Sequence, residues 1–209
     1  MTTRRYVPRK RAITAAQTRA NILDAAQKLF VENGYSRTTL QEVATAAGVS
    51  VQSVYLAGSK ASLMMAVLER GFTGDEQFTS LLERPEFLAI MSDSDTERAL
   101  DRYVDFVVAA NSRIADLWHA ATLAADSEPA IGEQLERSEL RRLDDVHTGS
   151  YWFVQRGLLD DGRVDEFADV LSYLTGPDTY RYFTVDRGWT PTRFTAWLRR
   201  SIAQHLSEG

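Results

Sequence analysis

The sequence predicts an all-α fold: an N-terminal three-helix domain containing a helix-turn-helix, followed by a larger C-terminal helical domain. Two observations predict the helices. Apolar residues recur at three- and four-residue spacing along the 209-residue chain, and no segment alternates apolar and polar side chains over strand length between turn signals. A third gives the division. Residues 1–70 carry a net charge of +6 and the remainder −11, so one end is built to face an anionic partner although the overall pI is near 5.3.

The first helix carries Ile22, Leu23, Ala26, Leu29 and Phe30 at i, i+1, i+4, i+7 and i+8, the stripe of an amphipathic core helix. Gly34 can take the left-handed conformation that closes it, and Tyr35 then folds back onto its last turn. Thr39-Leu40-Gln41-Glu42 matches a capping box, which starts the second helix with Leu40, Val43, Ala44 and Ala47 on one face. That helix ends at Gly48, and Ser50 caps a third helix running to Tyr55 or Leu56. The turn Gly48-Val49-Ser50 is so short that the two helices must cross steeply, with Ala46 and Ala47 letting the backbones approach. A third helix about 10 Å long suits entry into a major groove ~12 Å wide. At its start Gln52 and Ser53 have short polar tips suited to base edges, and Val51 can touch a thymine methyl. Arg37 is a further candidate for a phosphate.

These residues carry a resemblance. The ordered set Ile22-Leu23, Ala25-Ala26, Leu29-Phe30, Gly34-Tyr35, Thr38-Thr39, Val43-Ala44, Ala47-Gly48-Val49-Ser50, Tyr55, Ser59-Lys60 and Leu63 resembles the DNA-binding domain of the tetracycline-repressor (TetR) family of transcriptional regulators. The resemblance covers about a quarter of the chain. It implies Thr39, Tyr55 and Lys60 as phosphate contacts, which position the protein without specifying a sequence. One departure stands out: Tyr55-Leu56-Ala57-Gly58-Ser59-Lys60 is a residue shorter than the family pattern and lacks its aromatic, so the corner between the third and fourth helices must be built differently. The expected division is a basic flexible arm at 1–17, a helix-turn-helix domain at 18–70, and a ligand-binding and dimerisation domain at 71–209.

Beyond residue 70 the helical signals continue. Ser94-Asp95-Thr96-Glu97 reads as a second capping box, opening a helix with Leu100, Tyr103, Val104, Val107 and Val108 in register, followed by Ile114, Leu117, Trp118 and Leu123. Pro129 sits near a start, and Ile131 to Gly157 reads as one long helix. Phe167, Val170, Leu171 and Leu174 make the next stripe, Gly176-Pro177 breaks it, and Thr190-Pro191 opens a last helix with Phe194, Trp197, Leu198 and Ile202 on one face. The family resemblance implies that the last two long helices pair with those of a second subunit, which makes these eight residues, Phe167 to Ile202, the expected homodimer interface. A two-fold pair of short reading helices suits a palindromic operator in double-stranded DNA.

A small apolar or aromatic effector is the expected ligand of the acidic domain, with Tyr103, Phe106, Trp118, His119, Tyr151, Trp152 and Gln155 as its candidate pocket. No cofactor or metal is expected, since His119, His147 and His205 have no ligand spacing and the chain has no cysteine. The phosphate loop, dinucleotide fingerprint, Gly-x-Ser-x-Gly and His-Glu-x-x-His patterns are absent, which argues against an enzyme. No apolar run approaches ~20 residues and no signal peptide precedes the basic arm, so the expected location is cytoplasmic, with no membrane partner.

Overall fold

The computed structural model describes residues 8–74, 76 and 80–207, all in helices, turns and loops with no strand among them. Helix α1 runs Pro8–Asn33, α2 Leu40–Ala47, α3 Val51–Ala57 and α4 Lys60–Thr73. The C-terminal part is built from α5 (Pro85–Met91), α6 (Thr96–Ala125), α7 (Pro129–Gln155), α8 (Val164–Thr175), α9 (Pro177–Arg181) and α10 (Pro191–Ser207).

Helix α1 starts ten residues before the expected boundary. Residues 8–17 are its first turns, so the arm predicted as flexible is helical where it is described, and residues 1–7 lie outside the described residues. Pro8 suits a first helical position, and the alanines, glutamine and basic residues after it are strong helix formers. At its far end Gly34 turns left-handed at φ 79° and donates to the Phe30 carbonyl at 3.1 Å. Tyr35 folds back so that its ring lies 5.6 Å from that of Phe30. The capping box at Thr39 is complete, and Gly48 closes α2 with φ 66°. Ser50 accepts from the Ser53 amide and opens α3.

Helix α4 joins the two parts of the chain. Leu63, Met64, Met65, Ala66, Val67, Leu68, Glu69 and Gly71 are all buried. One continuous core includes Ile22, Phe30, Val43 and Val54 from α1–α3, the apolar residues of α4, and Ile114, Leu117, Ile131 and Leu135 from α6 and α7. The expected boundary at residue 70 therefore falls inside the last turn of a shared helix. Gly71 lets α4 approach α6 closely, since a Cβ there would stand 2.8 Å from Ile114 Cγ2. Arg113 of α6 donates to the carbonyls of Gly71 at 2.6 Å and Phe72 at 3.1 Å, satisfying acceptors that a helix C-terminus leaves open.

A second core joins α6, α7, α8 and α10 around Leu100, Val104, Phe153, Phe167, Leu171, Phe194, Leu198 and Ile202. This corrects the expected dimer face. Phe167, Leu171, Leu174, Phe194, Leu198 and Ile202 are buried within the single chain. Val170 and Trp197 pack against the same cluster. The stripes were sound, but α6 and α7 of the same chain cover them. Trp197 stacks with Phe183 at 4.5 Å and Phe194 at 5.4 Å.

Two smaller readings also shift. The cap of α6 is Asp95, which accepts from the Arg98 amide, and not Ser94. Asp93 Oδ1 takes the Asp95 amide at 3.1 Å and so sets the start one residue later. Leu123, expected on the buried stripe, is exposed.

Burying a Leu, Met or Val side chain stabilises by roughly 1.5–3 kcal/mol, so α4 alone contributes a large share of the energy holding the two parts together. Met64→Ala is expected to destabilise the protein by ~2–5 kcal/mol in urea denaturation. Leu56→Ala, at an exposed position, should stay within about 0.5 kcal/mol of wild type.

Candidate nucleic-acid interface and ligand cavity

Helix α3 turns Val54 into the core and leaves Gln52, Tyr55 and Leu56 outside, with Tyr55 66 % and Leu56 81 % exposed. Tyr55 therefore does not serve as packing between α1 and α3. Val51 is half-buried against the core, and Ser53 Oγ lies 2.9 Å from Ser50 Oγ. Of the three expected base readers, Gln52 is the one that stands fully clear of the protein.

The short corner after α3 is closed by a device that sequence reading missed. Arg19 of α1 donates from Nη1 to the Ala57 carbonyl at 2.9 Å and pairs through Nε with Glu76. Gly58 then takes φ 147°, where an L side chain would be strained, and Ser59 caps α4 by accepting from the Ser62 amide. A guanidinium on the last carbonyl of α3 does the holding for which no aromatic is present. The signal was there as an arginine inside an apolar-periodic helix, but its partner lies 38 residues away.

The loop from α1 to α2 is buttressed from beneath. Lys60 Nζ donates to the carbonyls of Tyr35 and Thr38, both at 3.1 Å, and sits 4.1 Å above the Tyr35 ring. In this arrangement Lys60 faces inward and positions the loop. Thr38 is buried and donates to the Gly34 carbonyl at 2.9 Å. Thr39 is exposed, but its hydroxyl and amide both donate to Glu42 Oε2 at 2.8 Å, which holds the Glu42 carboxyl below its ordinary pKa. Arg37 is exposed and anchored by Nε on the Asn33 carbonyl at 2.8 Å.

On the other side of α4 lies a cavity of two adjoining chambers. The first has a volume of about 60 Å³ and is walled by Phe72, Phe87, Leu100, Tyr103, Trp152 and Phe153, among others. The second offers about 90 Å³ and is bordered by Leu68, Glu69 and Phe72 of α4, with Asn111, Trp118 and Arg141. Phe72, Leu81, Arg142, Asp145 and Thr175 border both. Helix α5 covers the first chamber and is pinned at its end, where Trp152 Nε1 donates to the Met91 carbonyl at 2.8 Å. Arg156 lies 4.2 Å from the Trp152 ring and also donates to the Met91 and Asp93 carbonyls. Arg98 and Arg102 hold the Asp93 carboxyl far below the usual carboxylate range, chiefly through hydrogen bonds from Arg98.

The charged side chains beside the cavity have partners within the protein. Arg142 forks onto Glu139 and donates to the Ser172 carbonyl and hydroxyl. Asp145 accepts from Ser80 Oγ at 2.5 Å and the Leu81 amide at 2.9 Å. Glu69 pairs with Arg141 at 3.1 Å and Arg84 at 3.8 Å, tying α4 to α7 and to the segment before α5.

Residues 22–67 match the family described as bacterial regulatory proteins, tetR family. Over this stretch the chain is similar to the TetR family. An 84-residue stretch is 37 % identical to the HTH-type transcriptional regulator TtgR of Pseudomonas putida. It covers 40 % of this chain and 35 % of that relative, so the match spans about a third of the curated protein's length. The fold extends further. A protein from Mesorhizobium loti MAFF303099, assigned to the TetR-family transcriptional regulators, superposes with a TM-score of 0.70 at 22 % identity, covering 92 % of this chain and 96 % of its own. The SmeT–triclosan complex superposes with a TM-score of 0.67 at 18 % identity, covering 90 % of each chain.

Within this chain the candidate pocket is partly relocated. Tyr103 and Trp152 line the first chamber and Trp118 the second. Phe106 stands one layer back, edge-on to Phe72 at 6.4 Å and Phe87 at 5.7 Å. Tyr151 and Gln155 are exposed on α7, and His119 borders a surface groove beside Tyr35 and Arg37. The helical phase decides this: Trp152 and Gly149 turn inward, which puts Tyr151 and Gln155 outside. Arg142, Asp145 and Thr175, which reading by residue type passed over, border both chambers. Among the described residues no group of three or more His, Asp or Glu side chains is placed to hold a metal ion.

Burial pushes the Tyr103 phenol up to about 12, with hydrogen bonding to Thr175 and the charge of Arg142 opposing the shift. An unfolded tyrosine ionises near 10. The stability contributed by the neutral phenol is therefore complete below pH 10 and is lost as the pH rises towards 12. Tyr103→Phe should show a shallower fall in melting temperature than wild type across this window. An unchanged slope would contradict the placement of the phenol.

Proposed function

We propose that the protein is a ligand-responsive, sequence-specific DNA-binding transcriptional regulator, a repressor released from a palindromic operator by a small-molecule effector. The observation that carries this reading is the double role of α4, whose residues belong to the core of the helix-turn-helix and also wall the cavity. An occupant of the cavity touches the helix on which the reading helix is mounted. The proposed switch is between two dimer states with different spacing of the α3 helices, of which one fits adjacent major grooves. A ligand shifts the balance only by its difference in affinity for the two states, typically ~1–3 kcal/mol or about 5- to 150-fold.

In this reading Gln52 makes the base contact of greatest weight, with Val51 and Ser53 beside it. Tyr55, Arg37 and the start of α2 at Thr39 face phosphates, and Lys60 sets the loop that presents them. The Arg19 bond to Ala57 supports retained DNA binding, because it secures the shortened corner that would otherwise leave α3 loosely held. The proposed two-fold partner packs on apolar side chains the chain leaves uncovered, such as Leu140, Leu143 and Tyr151 along one side of α7 and Tyr173 on α8. The effector is small and largely apolar, as the lining of the first chamber favours.

Selection of fragmented genomic DNA at ~0.15 M salt, followed by footprinting, should recover a short palindromic site. Gln52→Ala should relax preference at one base position of each half-site by ~1–3 kcal/mol. Recovery no better than random DNA would overturn the reading.

A further inference from the structure

We propose that the cavity takes a bipartite ligand, an apolar or aromatic body carrying a neutral hydrogen-bond-donor head, and that Asn111 reads the head in the chamber against α4. The inference rests on the cavity being the effector site and deepens that reading. Asn111 lies on α6, borders the second chamber and is fully buried. Its Nδ2 donates to the Thr175 carbonyl at 2.8 Å. A backbone carbonyl can only accept, so this bond fixes which end of the amide is nitrogen. Oδ1 is left buried without a hydrogen-bond partner. Buried acceptors are nearly always paired, and one left open beside a chamber favours a guest that donates.

The rest of the chamber selects the guest's charge. Glu69 is matched by Arg141 and Arg84, Glu139 by Arg142, and Asp145 accepts from the Ser80 hydroxyl and the Leu81 amide. An ionic head would face charges already paired or hydrogen-bonded and gain little, whereas a hydroxyl or amide N–H completes the open Asn111 acceptor. The first chamber supplies the complement in Phe87, Leu100, Trp152 and Phe153, which suit a ring or alkyl chain. Phe72 and Thr175 border both chambers, so a single molecule can extend from one to the other. The donor head then rests against Leu68, Glu69 and Phe72 of α4.

The test is titration calorimetry on the full chain with 4-hexylphenol and its methyl ether 4-hexylanisole, which share a body and differ in the donor. The phenol is expected to bind wild-type protein about 10-fold or more tightly than the ether. In Asn111→Leu that preference should shrink to within about 2-fold while the ether's affinity is kept. Ser138→Phe, which fills the second chamber from α7 and leaves Asn111 intact, should do the same and carries the test if Asn111→Leu does not fold. Equal affinities in wild type, or a preference that survives both substitutions, overturn the donor-reading chamber and leave the apolar cavity standing. Binding of neither compound overturns the effector-site reading as well.

Discussion

The burial of α4 on nearly all its sides is the constraint on which the rest of this structure depends. A 14-residue helix cannot serve two separate cores unless almost every position is apolar, and KASLMMAVLERGFT meets that demand between Lys60 and Arg70. The consequence is one core running from Ile22 of α1 to Leu135 of α7. Glu69 and Gly71, the two exceptions to apolar side chains in the buried set, are placed where α7 supplies an arginine and where α6 comes closest. A change on the cavity side of α4 therefore cannot be absorbed locally, because close-packed interiors transmit displacement.

The basic character of the first 70 residues is only partly directed outward. Arg19 is occupied by Ala57 and Glu76, Arg70 by Asp24 at 2.7 Å, and Lys60 by two carbonyls. These cations do structural work at the corners of the helix-turn-helix, leaving Arg37 and the polar face of α3 toward solvent. Net charge locates the end of the molecule suited to phosphate, while hydrogen bonding decides which cations remain available to an anionic partner.

Local rules were legible in the sequence and tertiary partners were not. The capping box at Thr39, the cap at Ser50, the closure at Gly34 and the opening of the last helix at Thr190-Pro191 all depend on neighbours within four residues, and all are realised. Asp95 displaced Ser94 as a cap because Asp93 competes nearby, a difference of one position that spacing alone does not resolve. The apolar stripes of α8 and α10 were also legible, but periodicity says that a face is covered and not by what. Six of the eight expected interface residues turned out to be covered by the same chain. The cavity was hardest to read, since Arg142, Asp145 and Thr175 border it only through the packing of α7 and α8 around Tyr103.

The proposed regulation needs the reading helix to be rigid relative to α4, and α4 to be sensitive to what lies behind it. The Arg19, Lys60 and Ser59 contacts supply the first. The two chambers, bordered by Phe72 at the junction, supply the second. Differential scanning calorimetry tests the physical continuity on which both depend. A shared core predicts a single transition whose calorimetric and van't Hoff enthalpies agree. Two separable transitions, with residues 8–60 melting independently of the helices around the cavity, would contradict the account.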